Sequence, residues 1–150
     1  MSRAGITALS HTTVYVLDQD AAKEFYTGRL GFQVREDLRI GDFRWLTVGP
    51  EGQPEVTLIL MEPGSPQHDP ETEKQIRALI AKGALTSVVW ATADCRATYE
   101  ELRSRGVTFL QEPAERPYGV EAMFRDDSGN WFSLTERHEL DLAKPWGPTV

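Results

Sequence analysis

Residues 11–17, HTTVYVL, alternate between apolar or β-branched and polar positions, the period-two pattern of a half-buried strand. Asp18 follows as a helix N-cap. In QDAAKEFYTGRLGF the apolar Ala22, Phe25, Tyr26 and Leu30 then recur at helical spacing until Gly31 ends the helix. Three more strands are predicted at 32–38, 43–49 and 55–62, the last two joined by the turn GPEGQP. The order is βαβββ. From Ser87 it returns: SVVWATAD reads as a strand and CRATYEELRSRGV as a helix ending at Gly106. VTFLQEP, GVEAMFRD and NWFSLTER then read as three strands, the last two joined by DDSG. Asp94 answers Asp18 at an offset of 76 positions, and Gly129 answers Gly52. Five elements in the same order with matching turns identify an internal duplication. Between the halves, Asp69 and Pro70 predict the start of a helix of about three turns. Its stripe of Ile76, Leu79 and Ile80 is expected to seat on a pocket rim or on a partner subunit.

Strand alternation sorts the side chains into two faces. Within each strand, His11, Thr13, Tyr15 and Leu17 share a face, as do Val56, Leu58 and Leu60, and Phe43, Trp45 and Thr47 on the hairpin between them. Ser87, Val89 and Ala91, then Trp131, Ser133 and Thr135, do so in the second half. That these faces line one cavity is what the family resemblance described below implies. Leu46, Val48 and Trp90 have the opposite parity and are expected under helices. A wall of aromatic, aliphatic and small hydroxyl groups with one histidine suits a small-molecule pocket, although aromatics at this spacing also build plain core or a dimer interface. Tyr118 lies in ERPYGVE, read as a loop before the seventh strand and a candidate for the pocket rim.

Composition narrows the partners. The net charge of −7 and pI near 5.0 oppose nucleic-acid binding, which depends on cationic side chains neutralising phosphates. The lone Cys95 excludes an internal disulfide and fits a reducing compartment. Cys95 follows Asp94 at a helix start, yet no histidine is assigned beside it, so it is not read as a nucleophile. MSRAGITALS lacks an apolar signal core, and no apolar run approaches the roughly 20 residues of a membrane span. The expectation is a cytoplasmic protein with no membrane partner.

The paired βαβββ modules, FYTGRLGF after the first helix and the late DDSGNWFSL together resemble the vicinal oxygen chelate superfamily. That superfamily includes glyoxalase I, extradiol dioxygenases, fosfomycin-resistance enzymes and bleomycin-resistance proteins. The resemblance implies an α+β fold in which two tandem modules form a curved, partly open mixed sheet around a cavity, with helices on the convex side. One such domain would fill 1–150: module 1 at about 8–63, the linker helix at 64–84, module 2 at 85–137 and a tail at 138–150. In the glyoxalase branch, inward side chains of the first and fourth strand of each module hold a divalent metal. By position these fall on His11, Leu58, Ser87 and Ser133, a set with one good donor. His68 and His138 lie in the linker and tail, and Glu62 at a strand end.

The resemblance therefore implies no metal or other cofactor and no assigned catalytic residue. It implies a protein that sequesters a drug or natural product, as the bleomycin-resistance branch does, in crevices at a homodimer interface. The candidate ligand-binding residues are His11, Tyr15, Phe43, Trp45, Leu58, Leu60, Ser87, Tyr118, Trp131 and Ser133. Under this reading His11 is a polar anchor. The alternative is an enzyme of the superfamily, a glyoxalase-like lyase or isomerase, using His11 as acid or base or through a rewired metal site.

Overall fold

The structure, a computed structural model, describes residues 4–147. The chain divides into two compact units, the first reaching Glu62 and the second beginning at Pro63. The first holds β1 (His11–Tyr15), α1 (Gln19–Glu24) with a π-helical turn over Phe25–Arg29, β2 (Gln33–Ile40), β3 (Phe43–Gly49) and β4 (Thr57–Met61). The second holds α2 (Pro70–Ala81), β5 (Thr86–Ala91), α3 (Cys95–Ser104), β6 (Thr108–Arg116), β7 (Gly119–Arg125) and β8 (Trp131–Arg137). Each unit has one four-stranded mixed sheet, ordered β1-β4-β3-β2 and β5-β8-β7-β6. The first and last strands of each module pair in parallel, and the others are antiparallel. Among the described residues no helix is long and apolar enough to cross a membrane.

Repetition extends to how each helix begins. Asp18 accepts from the Ala21 amide at 2.9 Å, and Asp94 from the Ala97 amide at 3.0 Å, satisfying donors that a first helical turn leaves open. A carboxylate at the end of the last strand of each module supplies a second cap: Glu62, just beyond β4, takes the Gln19 amide at 3.0 Å and Glu136, near the end of β8, the Cys95 amide at 2.9 Å. The side chains at these two helix starts also match. Gln19 donates through Nε2 to the Leu60 carbonyl at 2.9 Å, and the Cys95 thiol to the Leu134 carbonyl at 3.5 Å. Cys95 is fully buried, and that burial pushes its thiol up to about 11, which keeps it protonated and unreactive at neutral pH. Glu62 thus serves the helix start, with its strand ending one residue earlier.

One face of each sheet is buried against its helix. In the first unit Val14, Leu46, Val48, Leu58 and Leu60 lie on it, with Ala22, Phe25 and Tyr26 also buried. In the second, Trp90, Phe124 and Phe132 form a chain of ring contacts, with Phe132 at 6.0 Å from Trp90 and 5.5 Å from Phe124. Arg44, largely covered, ties α1 to the first sheet by bonding Asp37 at 2.9 Å and Asp20 at 2.6 Å. The Arg44 guanidinium, with Lys23 second, holds the Asp37 carboxyl well below the usual carboxylate range.

α2 starts as expected: Asp69 accepts from the Thr72 amide at 2.8 Å and Pro70 occupies the first turn. Part of its stripe is seated within its own unit, while Leu79 stays exposed. Ile80 is fully buried, and the helix C-terminus rests on the Asp126–Asn130 turn of its own unit. There Asp126 accepts from the amides of Ser128, Gly129 and Asn130 at 2.9–3.0 Å. Gly129, at φ +118°, approaches so closely that a Cβ would lie 2.3 Å from the Ile80 carbonyl oxygen.

Candidate functional site

Each sheet has a second face, opposite its helix, and the register identifies what stands on it. In a parallel pair the aligned residues share a face, and β1 aligns His11 with Thr57, Thr13 with Ile59 and Tyr15 with Met61. Thr47 aligns with Ile59, and Trp45 and Phe43 align with Leu38 and Ile40. The face is therefore His11, Thr13, Tyr15, Thr57, Ile59, Thr47, Trp45 and Phe43.

Leu58 and Leu60 do not belong to it. They align with Thr12 and Val14, at 3% and 0% exposure, in the helix-covered core. The expectation takes Leu58 from the ligand position that the family resemblance implies and alternates from it. A slip of one residue reverses every side chain. The metal-ligand position expected at Leu58 passes to Thr57 or Ile59, so the correction adds no strong donor.

On this first face His11 is exposed, with its imidazole Nδ1 3.0 Å from the Ser10 hydroxyl. Its ring lies 5.9 Å from that of Trp45, tilted by 48°. The Trp45 indole N–H donates to Glu36 at 3.3 Å, and the Thr47 hydroxyl accepts from the Glu36 amide at 3.0 Å. His11 and Trp45 are thus brought together, with Phe43 and Tyr15 half-buried on the same face. Thr57, aligned with His11, accepts at 3.3 Å from Arg35, whose guanidinium also donates to the carbonyls of Pro50, Gln53 and Pro54.

The second unit has a more tightly built face. β8 aligns Ser133 with Val89 and Met123, Thr135 with Ala91 and Glu121, and Trp131 with Arg125. Glu121 is the centre. Its Oε1 accepts from the Tyr118 hydroxyl at 2.8 Å and its Oε2 from the Ser133 hydroxyl at 2.6 Å. Ser133 and Thr135 lie 2.6 Å apart, oxygen to oxygen. Arg116, 5% exposed, places Nε 3.8 Å from Glu121 and donates at 3.0 Å to Gln111, which itself donates to the Glu121 carbonyl at 3.1 Å. Burial first, and the bond to Glu121 second, push the Tyr118 phenol up to about 12.

Tyr118 is not in a loop. β6 runs to Arg116 and β7 starts at Gly119, so Pro117 and Tyr118 form a tight hairpin turn. Gly119 is required there: at φ +142°, a Cβ would stand 1.9 Å from the Glu136 carbonyl oxygen. The tail returns to this turn, where the Asp141 amide bonds the Pro117 carbonyl at 2.7 Å and the Trp146 ring lies 5.8 Å from that of Tyr118. Ser87 is exposed, in the stretch where the β5–β8 register is irregular, and Trp131 is half-buried.

Sequence reasoning missed Glu121, Arg116 and Gln111 as members of this cluster. The signal was the antiparallel alignment of Glu121 with Thr135, readable once GVEAMFRD and NWFSLTER are paired through their turn. The missed residues carry the charge.

The donor set does not fit a glyoxalase-type divalent metal. The first face offers one imidazole and the Glu36 carboxylate, which accepts from the Trp45 indole, and in the second the Glu121 carboxylate is already engaged by two hydroxyls and an arginine. Among the described residues there is no group of three or more His, Cys, Asp or Glu side chains placed to hold a metal ion. His68 accepts from the Gly64 amide at 3.0 Å, and His138 bonds Glu136.

Comparison with known proteins agrees with this architecture. Residues 8–134 match the Glyoxalase/Bleomycin resistance protein/Dioxygenase superfamily. YurT of Bacillus subtilis (strain 168), an uncharacterized protein, is 35% identical over 127 residues, 84% of this chain and 96% of its own. The crystal structure of UcmS2 is similar at 57% identity and a TM-score of 0.84, over 87% of this chain and 98% of that one. TnmS3, an antibiotic binding protein from Streptomyces sp. CB03234, is similar at 30% identity and a TM-score of 0.73, over 91% of this chain and all (100%) of that one.

Proposed function

Because the chain belongs to the Glyoxalase/Bleomycin resistance protein/Dioxygenase superfamily, we propose that it is a metal-free binding protein that sequesters a large, partly aromatic antibiotic or natural product. The observation that carries this reading is the likeness, over 91% of this chain, to a protein described as antibiotic binding. The site chemistry supports it. One face offers Trp45, Phe43 and Tyr15 beside His11, surfaces on which a flat ligand can stack. The second sheet, taken by itself, offers hydroxyls tied to a carboxylate, a polar group able to orient a ligand. A homodimer that closes the pocket completes the proposal, since each sheet has two edge strands and exposed apolar side chains, Val34, Leu38 and Ile40, stand on β2.

Sequestration makes a demand that catalysis does not: the ligand must be recovered unchanged, in proportion to protein. The purified protein is titrated with a panel of aromatic antibiotics by intrinsic tryptophan quenching, and each binder is extracted and weighed by mass spectrometry. One equivalent bound and intact supports the reading. Conversion of more than one equivalent, abolished in His11→Ala, replaces it with the enzymatic alternative.

A further inference from the structure

The hydroxyl protons of the Glu121 cluster are committed inward, and this dictates what a ligand must bring. Ser133 has one hydroxyl proton, and it lies on Glu121 Oε2 at 2.6 Å. The 2.6 Å contact between Ser133 and Thr135 then has one possible direction: Thr135 donates and Ser133 accepts. The Tyr118 proton lies on Oε1 at 2.8 Å. Below them Arg116 donates to Gln111 and to the Glu115 carbonyl and places its Nε 3.8 Å from Glu121, and Gln111 donates to the Glu121 carbonyl. Ser133, Thr135 and Arg116, at 7%, 2% and 5% exposure, lie beneath the surface, and what the cluster presents outward are lone pairs on Tyr118 Oη and the Glu121 carboxylate.

We infer that this cluster is a hydrogen-bond acceptor site, selecting ligands that present a hydroxyl or amine donor over ligands that present an ether or carbonyl oxygen. The inference rests on the small-molecule reading above and adds the polarity of the group recognised. An ether oxygen brought to these lone pairs meets like partial charge and leaves an acceptor unpaired, whereas a phenol donates into a network already polarised by a carboxylate. Arg116 balances the charge of Glu121, so a neutral donor is accommodated as readily as a cation.

The test uses 2-naphthol and its methyl ether, 2-methoxynaphthalene, flat probes that differ only in the donor. Affinities are measured on the full-length protein by calorimetry, with amide shifts of a nitrogen-labelled sample locating the bound probe. Naphthol binding about ten- to a hundredfold tighter, with shifts at Tyr118, Glu121 and Ser133, is the expected result. In Glu121→Gln the amide supplies donors and frees the hydroxyl protons, so the preference falls to near unity. Tyr118→Phe, which removes one acceptor at the hairpin and leaves the buried part intact, narrows it in the same direction if Glu121→Gln does not fold. Equal affinities, a preference for the ether, or silence from both naphthalenes while the antibiotic panel binds overturns the acceptor assignment and leaves the sequestration reading standing. Failure of the panel and both probes to bind overturns that reading as well.

Discussion

Single side chains divide the two faces into a stacking surface and a polar anchor, and they are expected to fail differently. Trp45→Ala and Trp131→Ala should each weaken binding of a flat antibiotic by about 1–3 kcal/mol, the scale of lost aromatic burial and stacking. His11→Ala should cost about 0.5–1.5 kcal/mol, one neutral hydrogen bond, with fluorescence titration ranking the three variants. Tyr118 makes a separate prediction in alkali. Its folded-state value, raised from 10.0 to about 12, means that the native state holds the phenolic proton longer than the unfolded chain does. The associated stability is present below about pH 10 and is lost as pH rises toward 12. Denaturant midpoints measured from pH 9 to 11.5 should therefore fall more steeply for the native protein than for Tyr118→Phe; parallel curves would remove Tyr118 from the linkage.

Among the elements, the contact between α2 and the Asp126–Asn130 turn depends on one glycine. Gly129→Ala combines a left-handed φ of +118° with a Cβ 2.3 Å from the Ile80 carbonyl oxygen, and neither partner is a flexible side chain. A loss of about 2–4 kcal/mol in urea unfolding is expected. Gly28 is the control: it sits in the π-helical turn with nothing within 4 Å of a Cβ, so Gly28→Ala should stabilise by about 0.5–1 kcal/mol. The same scale explains why the duplication is more than a pattern of strands. Both helices start with an aspartate cap, a carboxylate on the next amide, and a side chain reaching the last strand's carbonyl. Glutamine fills that last role in one half and cysteine in the other, two residues alike only in offering a proton at the right reach.

For the whole molecule, the homodimer is the decisive expectation. Edge strands that carry Leu38 at 51% and Ile40 at 68% exposure on the stacking side are a poor surface to leave in water. Light scattering at tens of micromolar should give twice the 16.9 kDa chain mass, and Ile40→Lys should shift it toward the monomer. A monomeric mass for the native protein would count against any pocket that needs a partner to close it.

The order of elements, the duplication and the helix caps were legible in the chain because they are local. Period-two and period-3.6 patterns, Asp18, Asp69 and Asp94 before their helices, and glycines at turns act over a few residues. The resemblance carried by FYTGRLGF and DDSGNWFSL pointed to the family that residues 8–134 match. The faces were decided only by strand pairing. The ligand position carried over from the family put Leu58, and Leu60 by alternation, beside His11, yet the parallel register set Thr57 there and sent both leucines into the core. No property of the segment EVTLILM distinguishes those two registers; the neighbouring strand does. The Glu121 cluster is likewise assembled from β6, the hairpin turn, β7 and β8, and its proton directions follow from contacts between strands, Ser133 on β8 donating to Glu121 on β7. Carboxylate, hydroxyls and guanidinium acquire a joint polarity only when the sheet sets them within hydrogen-bonding reach.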